Sequence, residues 1–195
     1  MRRRNPTRIL IVLVVLAIGV VGLFFYISNY SKVVAEGKQN RMTPVQEVLS
    51  RDLETNYPPT PKEVVKLYSE ITRCFYGEEY TDDELIKLAL FSRQLFDDEL
   101  VANQTDDQYL SALRMDIDSW KKDGKVISSY SVSQSTDVNE YTYEGRQWAQ
   151  LYCLYSIRMG TNMAPITERY LLRKDDRGHW KILGWELVTP GDDNG

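Results

Sequence analysis

Few residues in this chain of 195 are of types and spacings that could do chemistry. Asp97-Asp98-Glu99 sets three carboxylates in a row, suited to general acid/base work or to holding a cation. The helical spacing of the preceding residues puts this run near a helix C-terminus, where acids oppose the helix dipole, and that misplacement hints at a role. The plainer expectation is a solvated helix end, or ion pairs with Arg114, Lys121 or Lys122. A calcium loop is excluded, because D-x-[DN]-x-[DN]-G spacing is absent. The only histidine, His179, adjoins a hairpin signal and is expected to be exposed. Two cysteines and one histidine are too few for a structural zinc site, which usually takes four such ligands. Cys74 and Cys153 each sit in an apolar periodic segment, which favours two buried thiols over a disulfide. No cofactor is expected. Nucleotide-binding loops, Gly-x-Ser-x-Gly, His-Glu-x-x-His and Cys-x-x-Cys are all missing.

Aromatic residues are the other resource: four Trp and 13 Tyr. Tyr68, Tyr130, Tyr155 and Trp185 are candidate pocket-lining residues, with phenols offering a few polar contacts in an apolar wall. Ordinary core packing is the competing reading. Trp148, Tyr152 and Tyr170 fall on alternate strand positions with polar neighbours. Exposed in a row they would suit a protein or glycan partner, and packed under a helix they would be core.

The elements that must position these side chains follow from capping and periodicity. Thr43-Pro44-Val45-Gln46, Thr60-Pro61-Lys62-Glu63 and Thr81-Asp82-Asp83-Glu84 have capping-box spacing, and Thr105-Asp106-Asp107 starts a fourth helix with acids at its positive end. Val64, Tyr68, Ile71 and Phe75 line the second helix, and Leu110, Leu113, Ile117 and Trp120 the fourth. Gly77 closes the second. After Lys121-Lys122-Asp123-Gly124 the period changes to two. Val126, Ser128, Tyr130 and Val132 alternate, and residues 146–159 are the clearest strand, with Ala149, Leu151, Cys153, Tyr155, Ile157 and Met159 on one face. Residues 165–174 and 178–188 follow, split by the hairpin signal Asp175-Asp176-Arg177-Gly178. Helices first and consecutive antiparallel strands after predict an α+β domain, a helical half on a curved sheet of about four strands. In the last strand Leu183, Trp185 and Leu187 share a face opposite Trp180, Ile182 and Gly184. Trp185 is expected to point inward, against the helix bearing Tyr68 and Ile71, with Gly184 permitting a bend.

Before this domain, the run ILIVLVVLAIGVVGLFFYIS extends from Ile9 to Ser28 without a charge. Twenty residues at about 1.5 Å each span roughly 30 Å, a bilayer's hydrocarbon core. Phe24, Phe25, Tyr26 and Tyr30 fit an aromatic belt at its end, and Arg2, Arg3, Arg4 and Arg8 keep the short N-terminus cytoplasmic. A cleaved signal peptide is the rival, but its apolar region is usually shorter, about 7–15 residues, and ends in a better small-residue site than Val34-Ala35-Glu36-Gly37. The expected organisation is a cytoplasmic N-terminus (1–8), a signal anchor (9–28), a stalk (29–42), an extracytoplasmic domain (43–190) and a tail (191–195). The membrane is thus one expected partner, through residues 9–28. Residues 1–42 carry a net charge of +6 and the rest −10, within a whole-chain net of −4. Such an acidic domain repels phosphate backbones, so nucleic acid is not an expected partner.

The closing run Arg173-Lys174-Asp175-Asp176-Arg177-Gly178-His179-Trp180-Lys181-Ile182-Leu183-Gly184-Trp185-Glu186-Leu187, after a helical half, resembles the nuclear-transport-factor-two-like superfamily. More narrowly, Arg51-Asp52-Leu53, residues 56–65 (NYPPTPKEVV) and Asp97-Asp98-Glu99-Leu100 resemble a family of membrane-anchored bacterial proteins of that superfamily. The likeness spans roughly residues 43–188. It implies a sheet curled around a long helix into a cone, whose open end is an enzyme pocket, a ligand pocket or a packed core. Fold alone does not choose among these. The leading expectation is a membrane-tethered extracytoplasmic module that binds a protein partner or a small ligand without catalysis. The alternative is a lyase or isomerase using a carboxylate in the cone. A pocket of several hundred cubic ångströms holding a buried acid favours the second, and a cone plugged by aromatic side chains favours a protein-interaction module.

Overall fold

Every helix start in the computed structural model, which describes residues 42–189, coincides with a side chain able to cap it. Thr43, Thr60, Thr81 and Thr105 each accept a hydrogen bond from the backbone N–H three residues on, at 3.2, 3.2, 3.2 and 3.3 Å. They open α1 (Pro44–Leu49), α2 (Pro61–Gly77), α3 (Asp82–Arg93) and, with a short α4 (Asp98–Ala102) intervening, α5 (Asp106–Lys122). At Thr43, Thr81 and Thr105 the reciprocal bond to the cap's own N–H completes a capping box. At Thr60 it is replaced: the hydroxyl donates to Glu63 Oε2 at 3.0 Å.

Five strands follow, one more than the period-two pattern predicts: β1 (Lys125–Val132), β2 (Asn139–Tyr143), β3 (Arg146–Met159), β4 (Asn162–Lys174) and β5 (Trp180–Leu187). All pairings are antiparallel, in the order β1-β3-β4-β5. The unforeseen β2 pairs with residues 146–150 of β3, while β1 pairs with residues 153–159 of the same strand. One edge of β3 is therefore covered by two short strands, separated by the 3-10 turn Ser135–Asp137. The α+β class and the curved antiparallel sheet match the sequence reading. The expected membrane segment (9–28), residues 29–41 of the expected stalk and residues 190–195, which include the expected tail, lie outside the described residues. Among those described, no helix is long and apolar enough to cross a membrane.

Two bulges decide which side chains face the helices. In β1 the register slips between Ile127 and Ser129, so Ile127 and Tyr130 share the inner face and Ser128 drops out of the alternation. In β5 the slip falls between the partners of Leu171 and Leu172, which puts both Ile182 and Trp185 inward, opposite Leu172 and Tyr170. The bend expected at Gly184 is thus a bulge of one residue at Leu183.

Helix α2 crosses the inner face with Val64, Val65, Tyr68, Ser69, Ile71, Cys74 and Phe75 buried against Ala149, Leu151, Cys153, Tyr155, Tyr170 and Leu172. Its last residue runs so close to β1 that a Cβ on Gly77 would lie 2.8 Å from the Ile127 carbonyl oxygen. Leu95 and Asp97 clip the other edge of the sheet, where the Ile182 N–H donates to Leu95 O and the Asp97 N–H to Ile182 O, both at 2.8 Å.

Candidate functional site

Between α2, α5 and the inner face of the sheet lies a cavity of about 380 Å³. Helix α2 contributes Tyr68, Thr72, Phe75 and Tyr76. Helix α5 brings Tyr109, Leu113, Asp116 and Trp120 along one stripe, at spacings of three and four. The sheet adds Ile127, Tyr155, Ile166, Glu168 and Trp185. Among the described residues, eight aromatic side chains and two carboxylates border this space, and no lysine, arginine or histidine does.

Glu168 is its distinctive group. It stands on β4 between Ile166 and Tyr170 on the inward alternation, opposite Cys153 and Leu187 in the register. Burial pushes its carboxyl pKa up from the ordinary value, and a hydrogen bond from Tyr170 partly offsets the rise. Tyr170 donates to Glu168 Oε2 at 2.5 Å. Behind it run three more links: Tyr170 to Tyr155 at 2.9 Å, Tyr155 to Ser69 at 2.8 Å, and Ser69 to the Cys153 thiol at 3.3 Å. Each hydroxyl owns one proton. Once Tyr170 gives its own to the ionised carboxylate, it must accept from Tyr155, which must accept from Ser69, which accepts from the thiol. The five groups form a one-way chain ending on the carboxylate, and burial holds both tyrosine phenols neutral by raising their pKa values well above normal. Glu168 Oε1 makes no hydrogen bond among the described residues.

Asp116 is the second acid. It is exposed, and Tyr76 donates a short hydrogen bond to its Oδ2. Burial raises the Tyr76 phenol first, with the Asp116 contact adding to it and Glu168 contributing at longer range.

Three of the four aromatic residues singled out from sequence, Tyr68, Tyr155 and Trp185, border the cavity. Tyr130 does not. Its ring centre is 6.5 Å from that of Tyr155, behind the cavity wall. Trp185 points inward as expected, with ring centres 5.2, 5.8 and 6.2 Å from Tyr68, Phe96 and Tyr170. It is not fully buried, however, and remains 39% exposed at the cavity mouth. Tyr170 is core rather than part of an exposed row, because the register sets it opposite Leu151.

The acidic run Asp97, Asp98, Glu99 is elsewhere, and its expected placement is corrected. The preceding helix ends at Arg93, so Asp97 caps the start of α4, where acids are favourable. Asp97 is buried and takes two hydrogen bonds from Arg173, at 2.6 and 3.1 Å, and Glu99 Oε1 is 3.0 Å from the same guanidinium. The partner is thus Arg173 on β4, neither Arg114, which pairs with Asp82, nor Lys121 or Lys122. Asp97 and Glu99 are thus both engaged by Arg173, and Asp98 is exposed. His179 is half-buried, stacked on Tyr57 with ring centres 4.2 Å apart. Cys74 and Cys153 are free, buried thiols. Among the described residues no group of three or more His, Cys, Asp or Glu could hold a metal ion.

Sequence reasoning overlooked Glu168, Asp116 and Tyr76. The signal for Glu168 was a lone charge on the inward alternation Ile166-Glu168-Tyr170-Leu172. For Asp116 it was an acid between Leu113 and Trp120 on the helix stripe facing the sheet. A family model described as "Domain of unknown function (DUF6715)" matches residues 1–185. No curated protein matches the chain.

Proposed function

The chain belongs to the DUF6715 family, and on that premise we propose that it is a membrane-tethered extracytoplasmic module that holds a small organic ligand in the cavity between α2, α5 and the sheet. The observation that carries this reading is the cavity itself. At about 380 Å³, with a mainly aromatic wall and a few polar groups aimed at one space, it has the size and make-up of a ligand site. A packed core would have filled that volume, since interiors are otherwise close-packed. This favours a small ligand over the protein-partner arm of the expectation. Membrane tethering rests on residues 9–28 and the arginines before them. Kinship with the nuclear-transport-factor-two-like superfamily belongs to the same proposal, supported by a curved sheet packed on the long helix α2 and ending in the β4–β5 hairpin.

Ala112 borders the cavity from an exposed position on α5, so a larger side chain there can fill the space without cutting into the core. A screen of small aromatic compounds by thermal shift should find binders of the wild-type chain that Ala112→Trp no longer binds, with the variant's own unfolding temperature nearly unchanged. Compounds that stabilise both proteins equally would contradict the reading.

One observation favours a second reading, a lyase or isomerase. A carboxyl whose pKa is raised by burial, in a pocket, is suited to moving a proton. On that reading Glu168→Gln retains the ligand and loses its conversion, which product analysis of the bound ligand would reveal. An unchanged ligand in the wild type leaves the non-catalytic module.

A further inference from the structure

The charge of the cavity wall specifies more than its shape does. Glu168 and Asp116 both border the space, and neither forms an ion pair among the described residues. Among the described residues no cationic side chain lines the cavity to neutralise them. Among the described residues their hydrogen-bond partners are phenols: Tyr170 on Glu168 Oε2 and Tyr76 on Asp116 Oδ2. Among the described residues, Glu168 Oε1 has no donor.

The walls add a second, independent preference. Tyr68, Tyr76, Trp120 and Trp185 present ring faces or edges around the same volume. Tyr76 and Trp120 stand 4.6 Å apart by ring centre, and Tyr68 and Trp185 stand 5.2 Å apart. Aromatic faces attract cations through their quadrupoles, most strongly where water is excluded. A partly buried carboxylate without a counter-ion is costly, and a cation supplied by a ligand would remove that cost. An anionic ligand would meet two like charges, and a neutral one would leave the partly buried Glu168 uncompensated.

We infer that the ligand of this cavity is an organic cation: an amine or quaternary ammonium group on an apolar body, its charge held between Glu168 and Asp116 and its body against Tyr68 and Trp185. This rests on the ligand-binding reading above and narrows it to a substrate class. A fragment the size of phenethylamine fits a volume of this order.

Three probes of matched shape separate the charge inference from the reading beneath it: phenethylamine, 2-phenylethanol and phenylacetate. Each is titrated into the full-length chain in a maltoside detergent, with binding followed by the fluorescence of the cavity tryptophans. The amine should bind at least about tenfold more tightly than the alcohol, and phenylacetate more weakly than either. In Asp116→Asn, and more so in Glu168→Gln, the gap between amine and alcohol should shrink, and the three-probe ranking in the wild type stands even if a variant fails to fold. Equal binding of amine and alcohol, or tighter binding of phenylacetate, would overturn the charge inference while leaving the cavity a ligand site. No binding by any of the three would remove both.

Discussion

At the scale of single residues, Glu168 and Asp97 show how two acids of one chain take opposite roles. Asp97 is buried but fully engaged, as the cap of α4 and the partner of Arg173. Removing one side of such a pair strands the other charge, so Asp97→Ala should cost about 3–5 kcal/mol. Asp98→Ala, exposed one position on, should cost less than about 0.5 kcal/mol. Denaturant unfolding of both variants reads the contrast, and equal losses would contradict the structural role of Asp97. Glu168 has no ion-pair partner among the described residues and a pKa raised by burial, so the native state keeps its proton to higher pH than the unfolded chain does. Stability must therefore fall as pH rises above the ordinary carboxyl value of 4.5, until the native carboxyl is fully ionised. Tyr68, Tyr155 and Tyr170 around it stay neutral throughout that range, their phenol pKa values raised by burial. Relative to wild type, Glu168→Gln should gain stability between about pH 4 and pH 7 with the cavity empty. A difference that stays constant with pH would refute this. Trp185, partly exposed at the cavity mouth, should cost about 2 kcal/mol on truncation to Ala, below the roughly 3–5 kcal/mol of a fully buried aromatic.

At the scale of elements, what was legible in the sequence was what is decided locally. A threonine three residues before a glutamate or glutamine sets a helix start through its own hydrogen bonds, which is why α1, α2, α3 and α5 begin where their caps stand. Strand faces were legible as far as the alternation ran unbroken. They failed at Ser128 and Leu183, because a bulge inserts one residue and inverts every face beyond it; Gly184 marks the second only to within a residue, and nothing in KVISSYSV marks the first. The short α4 was missed because five residues carry too little periodicity, and the Asp97 cluster was misplaced with it. The cavity carboxylate was hidden for a related reason. Ile166, Glu168, Tyr170 and Leu172 disclose a shared inward face only once β4 is registered against β3. Gly77 gives an element-scale test. Its close approach to the Ile127 carbonyl leaves no room for a Cβ, so Gly77→Ala should lose stability despite the better helix propensity of alanine. A stabilised variant would mean that α2 can move off β1 without loss.

At the scale of the whole molecule, the proposed function places a ligand-binding domain after a membrane-tethered N-terminus. On the proposed topology, with the arginines before residue 9 held in the cytoplasm, the C-terminus lies outside it. Since Cys74 and Cys153 are buried, a Gly195→Cys reporter should be labelled by a membrane-impermeant thiol reagent in intact cells. Labelling only after lysis would reverse the orientation. A fragment of residues 43–190 should unfold in one cooperative thermal transition, because its caps, strands and core involve no lipid, and a fragment without such a transition would count against an independent domain. The central claim, that the cavity is the site, is tested most directly by the four tryptophans of the chain. Trp120 and Trp185 border the cavity, whereas Trp148 lies against Tyr141 and Arg173, and Trp180 is buried beneath Lys174. Each indole N–H gives its own signal in a nitrogen–proton correlation spectrum. On titration with phenethylamine, the Trp120 and Trp185 signals should shift together and saturate, while those of Trp148 and Trp180 stay in place. Movement of Trp148 alone, or of none of the four, would contradict the account.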